Sequence, residues 1–107
     1  MELGGKSPSL IFDDADMDTA VTKSMEGILA NTGQICAMAS RIFVQENIAD
    51  KFINALSEGF KTVGSGDAIG DPSLKTTQVG PIADKKQFSR VMELIESGKK
   101  DGTLVSR

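Results

Sequence analysis

The 107-residue chain has no histidine and a single cysteine, Cys36. Those two scarcities exclude several chemistries at once. An intrachain disulfide needs a second sulfur, and a Cys/His zinc site needs more soft ligands than the chain holds. Neither a Cys–His nor a Ser–His dyad can form from its own residues, because the imidazole that deprotonates the nucleophile is missing. An activated nucleophile here must take its base from a carboxylate, from backbone dipoles or from another part of a longer protein. A lone thiol also suits a reducing compartment, and the cytoplasm is the expected location.

No apolar run approaches the ~20 residues that span a bilayer. The first residues, Met-Glu-Leu-Gly-Gly-Lys, lack the apolar stretch of a signal peptide. An excess of either charge is also missing: 15 acidic and 12 basic residues leave a net charge of -3. That balance offers no electrostatic attraction for nucleic acid or an anionic membrane, so neither is an expected partner. No Asn-x-Ser/Thr sequon, internal repeat or low-complexity segment occurs. With 39% hydrophobic and 25% charged residues, the composition is that of an ordinary globular chain.

Hydrophobic patterning divides the chain into alternating elements. Leu10-Ile11-Phe12 follows Pro8 as a continuous apolar run, which predicts a strand within Ser9 to Phe12 buried on both faces, as in a parallel sheet. Asp13, Asp14 and Asp16 crowd the start of a helix, where carboxylates cap free amides and suit the dipole. Met17, Val21, Met25, Ile28 and Leu29 continue it at helical spacing, and Gly33 is a natural stop. Ile42-Phe43-Val44, within Arg41 to Gln45, predicts a second buried strand. Ile48, Phe52, Ile53, Leu56, Phe60 and Val63 predict an amphipathic helix of about four turns. Glycines and Pro72 punctuate a loop from Gly64 onward.

A third helix begins near Asp84, with Gln87 placed to return the cap, an apolar stripe of Phe88, Val91, Met92 and Ile95, and an end at Gly98. Thr103-Leu104-Val105 reads as a third strand. The order β-α-β-α-loop-α-β predicts an α/β layer with parallel strands and right-handed crossovers, incomplete at both ends.

Most motif-like stretches have plain readings. Gly64-Ser-Gly66 with Gly70 has the wrong spacing for a dinucleotide loop and follows a helix instead of a strand. Gly5-Lys6-Ser7 is followed by Pro8, which blocks the helix start of a phosphate-binding loop. Lys99-Lys100 reads as a solvated helix end. Two segments remain: Glu2-Leu3-Gly4-Gly5-Lys6-Ser7-Pro8 and Asn31-Thr32-Gly33-Gln34-Ile35-Cys36. From composition and spacing alone, Cys36 reads first as a buried structural cysteine after a helix.

Taken together, the two segments resemble the glutamate and cysteine signatures of the NAD(P)-dependent aldehyde dehydrogenase family. Thirty-four positions separate Glu2 from Cys36, as in that family. The acidic run Asp13-Asp14-Ala15-Asp16-Met17-Asp18 resembles the family's helix start, and Ser40 to Gln45 resembles the strand after its cysteine. Gly80-Pro81 followed by Phe88 also fits. The resemblance covers nearly the whole chain and implies that residues 1–107 are part of the catalytic, thiol-bearing domain. The dinucleotide-binding and oligomerisation segments would lie elsewhere in a longer protein.

The resemblance also implies a chemistry. Cys36 is the expected nucleophile, forming a thiohemiacetal with a small-molecule aldehyde, and only its thiolate is competent. The Cys36 backbone N–H would donate to the oxyanion. Hydride passes to NAD or NADP and leaves a thioester, for which Glu2 is the expected general base. Leu3 and Gly4 resemble the backbone beside the nicotinamide, and Gln34 shapes the turn that presents Cys36. No metal is implied. The full-length protein would be a homo-oligomer, dimer or tetramer, and this segment alone would be inactive. The alternative is a catalytically silent structural or binding relative of the same fold. Geometrically, Glu2 and Cys36 are expected together at the carboxyl edge of the parallel sheet, where open α/β sheets place their sites.

Overall fold

A computed structural model describes residues 3–64 and 69–102 of the chain. The elements follow the expected alternation: β1 (Pro8–Ile11), α1 (Met17–Leu29), β2 (Arg41–Val44), α2 (Glu46–Gly64) and α3 (Lys85–Asp101). The two strands form a parallel sheet in which Pro8 faces Arg41, Ser9 faces Ile42, Leu10 faces Phe43 and Ile11 faces Val44. This is the predicted α/β arrangement with parallel strands. The expected third strand at 103–105 lies outside the described residues.

Two of the helix starts have a side-chain cap. Asp16 caps α1, its carboxylate accepting from the Thr19 amide at 2.9 Å. Asp84 caps α3 in the same way, accepting from the Gln87 amide at 2.8 Å. These side chains satisfy amides that the first helical turn leaves without partners. The end of α3 departs from expectation. It runs through Gly98 to Asp101, and the Gly102 amide closes on the Gly98 carbonyl at 2.8 Å. A helix interior tolerates one glycine when the backbone ladder continues beyond it.

The core lies where α1 and α2 pack on one face of the sheet. Ile11, Phe52 and Val63 are its buried hydrophobic side chains among the described residues. The helices approach closely at Gly59, where a Cβ would run into the sulfur of Met25. Ile53, which the helical spacing assigns to the apolar stripe of α2, is 42% exposed.

The strands are not buried on both faces as predicted. Ile11 points into the core, but Leu10 and Phe43, side by side in the register, are 63% and 52% exposed. A parallel sheet needs a layer on each face, and among the described residues only one face is covered. Phe88, Met92 and Ile95 on α3 are likewise exposed, and Val91 is half-buried. No helix among the described residues is long and apolar enough to cross a membrane.

Two outcomes follow for the complete protein. Phe52 is only 1% exposed, so Phe52→Ala should cost about 3–5 kcal/mol, read as a lowered unfolding midpoint, with Phe52→Leu costing less. The Asp16 carboxyl is held below its ordinary 3.8 by the hydrogen bonds from Thr19. Its folded value is depressed, so the stability it contributes is present above the ordinary value and is lost as pH falls through the lowered one. Asp16→Asn keeps an oxygen acceptor without a titration. The wild-type advantage in thermal midpoint over D16N should therefore shrink in acid; a difference independent of pH would contradict this reading.

Candidate active site

The parallel register carries a geometric consequence. Residues just before Pro8 and just before Arg41 must emerge at the same edge of the sheet, because those two residues are partners. The glycine segment leads into β1 and the cysteine segment leads into β2, so the two meet. At Gly5 the approach is so close that an added Cβ would collide with the Cys36 carbonyl oxygen. Only glycine fits there. Arg41 fastens the same junction from the strand side: its Nε and Nη2 both donate to the Lys6 carbonyl, at 2.9 and 2.6 Å. Its guanidinium also lies 5.6 Å from the centroid of the Phe43 ring, a cation–π contact that steadies the side chain.

The meeting point lies at the amino edge of β1 and β2, because both segments precede their strands. The expected carboxyl edge belongs to a strand ending at Glu2, which is not among the described residues.

Cys36 occupies a turn closed by the Met38 amide on the Ile35 carbonyl at 3.1 Å, and its thiol is free and exposed. The plain reading of a buried structural cysteine is therefore not met. An open cleft of about 720 Å³ runs past it, walled by Gly4 and Gly5 on one side, by Asn31, Gln34 and Cys36 on another, and by Pro81 and Asp84 on a third. Leu3 is 82% exposed and does not line the cleft, whereas Gly4 does. Gly4 has φ +73, and nothing stands within 4 Å of where its Cβ would project. Glu2 lies outside the described residues.

Upstream of the turn, α1 does not stop at a simple glycine cap. Asn31, Thr32 and Gly33 follow one another with φ 49, 59 and 73. Asparagine and glycine tolerate that left-handed conformation, but a β-branched threonine does so only under constraint. Part of the constraint is visible: Thr32 Oγ1 donates to the Gly80 carbonyl at 3.1 Å. Sequence reasoning missed both this strained stretch and the wall supplied by residues 80–84. The only available signal was the shared presence of Gly80-Pro81 in the family resemblance.

The aldehyde dehydrogenase family model matches residues 1–106. The chain is 44% identical to hydroxyisobutyraldehyde dehydrogenase of Mycolicibacterium austroafricanum over 98% of its own length, and 45% identical to human retinal dehydrogenase 2 over 95%. It spans about one fifth of the length of these curated relatives, 20% and 19% respectively. Among solved structures it is similar to betaine aldehyde dehydrogenase of Staphylococcus aureus in complex with NAD+, with TM-score 0.88 and 35% identity. That alignment covers 97% of this chain and 20% of the other. It is also similar to the NAD+ complex of aldehyde dehydrogenase from Bacillus cereus, with TM-score 0.84 and 40% identity over 94% of this chain and 20% of the other.

The junction itself is testable. In the complete protein, Gly5→Ala should displace the Cys36 turn, lowering the thermal midpoint by several degrees and altering the alkylation rate of Cys36. At Gly4 the space is open, so Gly4→Ala carries only the backbone penalty of its positive φ, roughly 1–2 kcal/mol. A G5A protein matching wild type in both measurements would mean that the two backbones are not in contact.

Proposed function

Because the chain belongs to the aldehyde dehydrogenase family, we propose that the complete protein oxidises an aldehyde to a carboxylic acid with NAD(P)+, using Cys36 as nucleophile and Glu2 as general base. The observation that carries the proposal is the abutment of Gly5 on the Cys36 carbonyl beside an exposed thiol. Glu2 precedes Gly5 by three positions in the sequence, and its role is taken from the family resemblance.

The chemistry divides among these groups. The Cys36 thiolate attacks the carbonyl carbon, and the resulting oxyanion takes a hydrogen bond from the Cys36 backbone N–H. NAD(P)+, when bound, supplies the hydride acceptor, and NAD+ is favoured by the complexes of the two structural neighbours. Gly4 lines the cleft and leaves open space where a side chain would project; by the family resemblance, Leu3 and Gly4 are the backbone that would lie beside the nicotinamide. Hydride loss leaves an acyl group on sulfur. Glu2 then accepts a proton from water as the oxygen adds to the thioester, and collapse releases the acid and the thiolate.

The exposed outer face of the sheet at Leu10 and Phe43 supports a further part of the reading. On this reading the 107 residues are a section of the catalytic domain, since they span about one fifth of their relatives' length, and alone they would not turn over.

In the complete protein, Cys36→Ala should abolish aldehyde oxidation. Glu2→Gln should leave the first hydride transfer and slow deacylation by roughly 10²–10⁴-fold, seen as a burst of NAD(P)H followed by a slow steady state. Unchanged burst and steady-state rates in E2Q would remove Glu2 from the role.

A further inference from the structure

The turn that presents Cys36 is tied to a segment almost fifty positions away, and the tie runs through one side chain. The Gln34 amide is used at both ends. Its Oε1 accepts from the Ala83 backbone N–H at 2.8 Å. Its Nε2 donates to the Asn31 carbonyl at 3.0 Å, an oxygen that also takes the Gln34 backbone N–H at 3.1 Å. The Asn31 side chain returns the bond, with Nδ2 donating to the Gln34 carbonyl at 3.2 Å. Gln34 thus braces the left-handed stretch at Asn31–Gly33 and, in the same group, anchors the strand of chain that leads into α3.

Resting on the function proposed above, we propose that Gln34 is a positioning residue for the Cys36 nucleophile. Its side-chain amide locks the cysteine turn to the 80–84 wall of the cleft. The geometry explains why an amide is required. The group must accept from one backbone and donate to another, so an ionised glutamate keeps the Ala83 bond and meets the Asn31 carbonyl with repulsion. A methionine of similar length keeps neither bond. Three successive positive φ values do not hold themselves in place, and strain of this kind persists only when surrounding contacts over-determine it. Thr32 to Gly80 is a second tether to the same segment, so losing Gln34 should loosen the turn without releasing the segment altogether.

The test compares wild type, Gln34→Met and Gln34→Glu in the complete protein, with the Ala83 amide followed by hydrogen exchange and Cys36 by its rate of alkylation with iodoacetamide. Q34M should speed Ala83 exchange at least about tenfold, change the alkylation rate, and lower the pre-steady-state burst rate by about 10–100-fold. Affinity for NAD+, measured by titration without aldehyde, should stay within about twofold. Q34E should recover Ala83 protection and part of the burst rate. Faster Ala83 exchange with unchanged alkylation and burst rate would overturn the positioning role, because the tie would exist without acting on Cys36. Unchanged Ala83 exchange would overturn the tie itself. A uniform loss of stability, cofactor affinity and rate would reduce Gln34 to a folding role and equally overturn the proposal. If wild type oxidised no aldehyde, the function assigned above would fall, while exchange and alkylation would still decide whether Gln34 governs Cys36.

Discussion

Two stretches of backbone share a space at Gly5 and Cys36 that no side chain can enter. The contact is enforced from outside. Parallel pairing with Pro8 opposite Arg41 brings the preceding segments to one edge, and the Arg41 guanidinium holds the Lys6 carbonyl there with two hydrogen bonds. Charge-assisted bonds of this kind are stronger than neutral ones and fix orientation as well as distance. The sheet is small, but its register decides which residues become neighbours, and every functional reading of the chain depends on that register.

A second tie works at right angles to the first in sequence terms. Gln34 and Thr32 reach Ala83 and Gly80, so the cysteine turn is bounded both by the segment before β1 and by the segment before α3. Between these boundaries the thiol stays exposed. The proposed nucleophile is thus accessible and yet held: Cys36 lines the cleft, and the Gly5 contact on one side and the Thr32 and Gln34 side chains on the other bound its turn.

The legible features of the sequence were the local ones. Helical spacing marked α1, α2 and α3, and Asp16 and Asp84 announced their helix starts because capping is a short-range bond. Apolar triplets marked both strands. What escaped was decided at long range or against propensity. Nothing local predicts a left-handed Thr32, since its branched side chain argues for the opposite. The Gln34–Ala83 bond spans 49 positions, and a sequence carries no sign of such a pairing without a known register. Glycine at position 98 reads as a stop, yet helix α3 passes through it. The edge at which the glycine and cysteine segments meet likewise depends on chain direction through strands whose pairing had to be seen. The proposed partnership of Glu2 with Cys36 rests on the family resemblance, not on patterning.

Family membership and the cleft meet in one chemical statement, that substrate carbon becomes bonded to the Cys36 sulfur during turnover. The direct measurement is rapid acid quench of the complete protein during oxidation of an aldehyde, followed by mass mapping of the peptide containing Cys36. The account predicts the mass of the substrate's acyl group on Cys36, discharged on longer incubation. Sustained turnover with that peptide unmodified at every quench time, or with the acyl group on another residue, would contradict it.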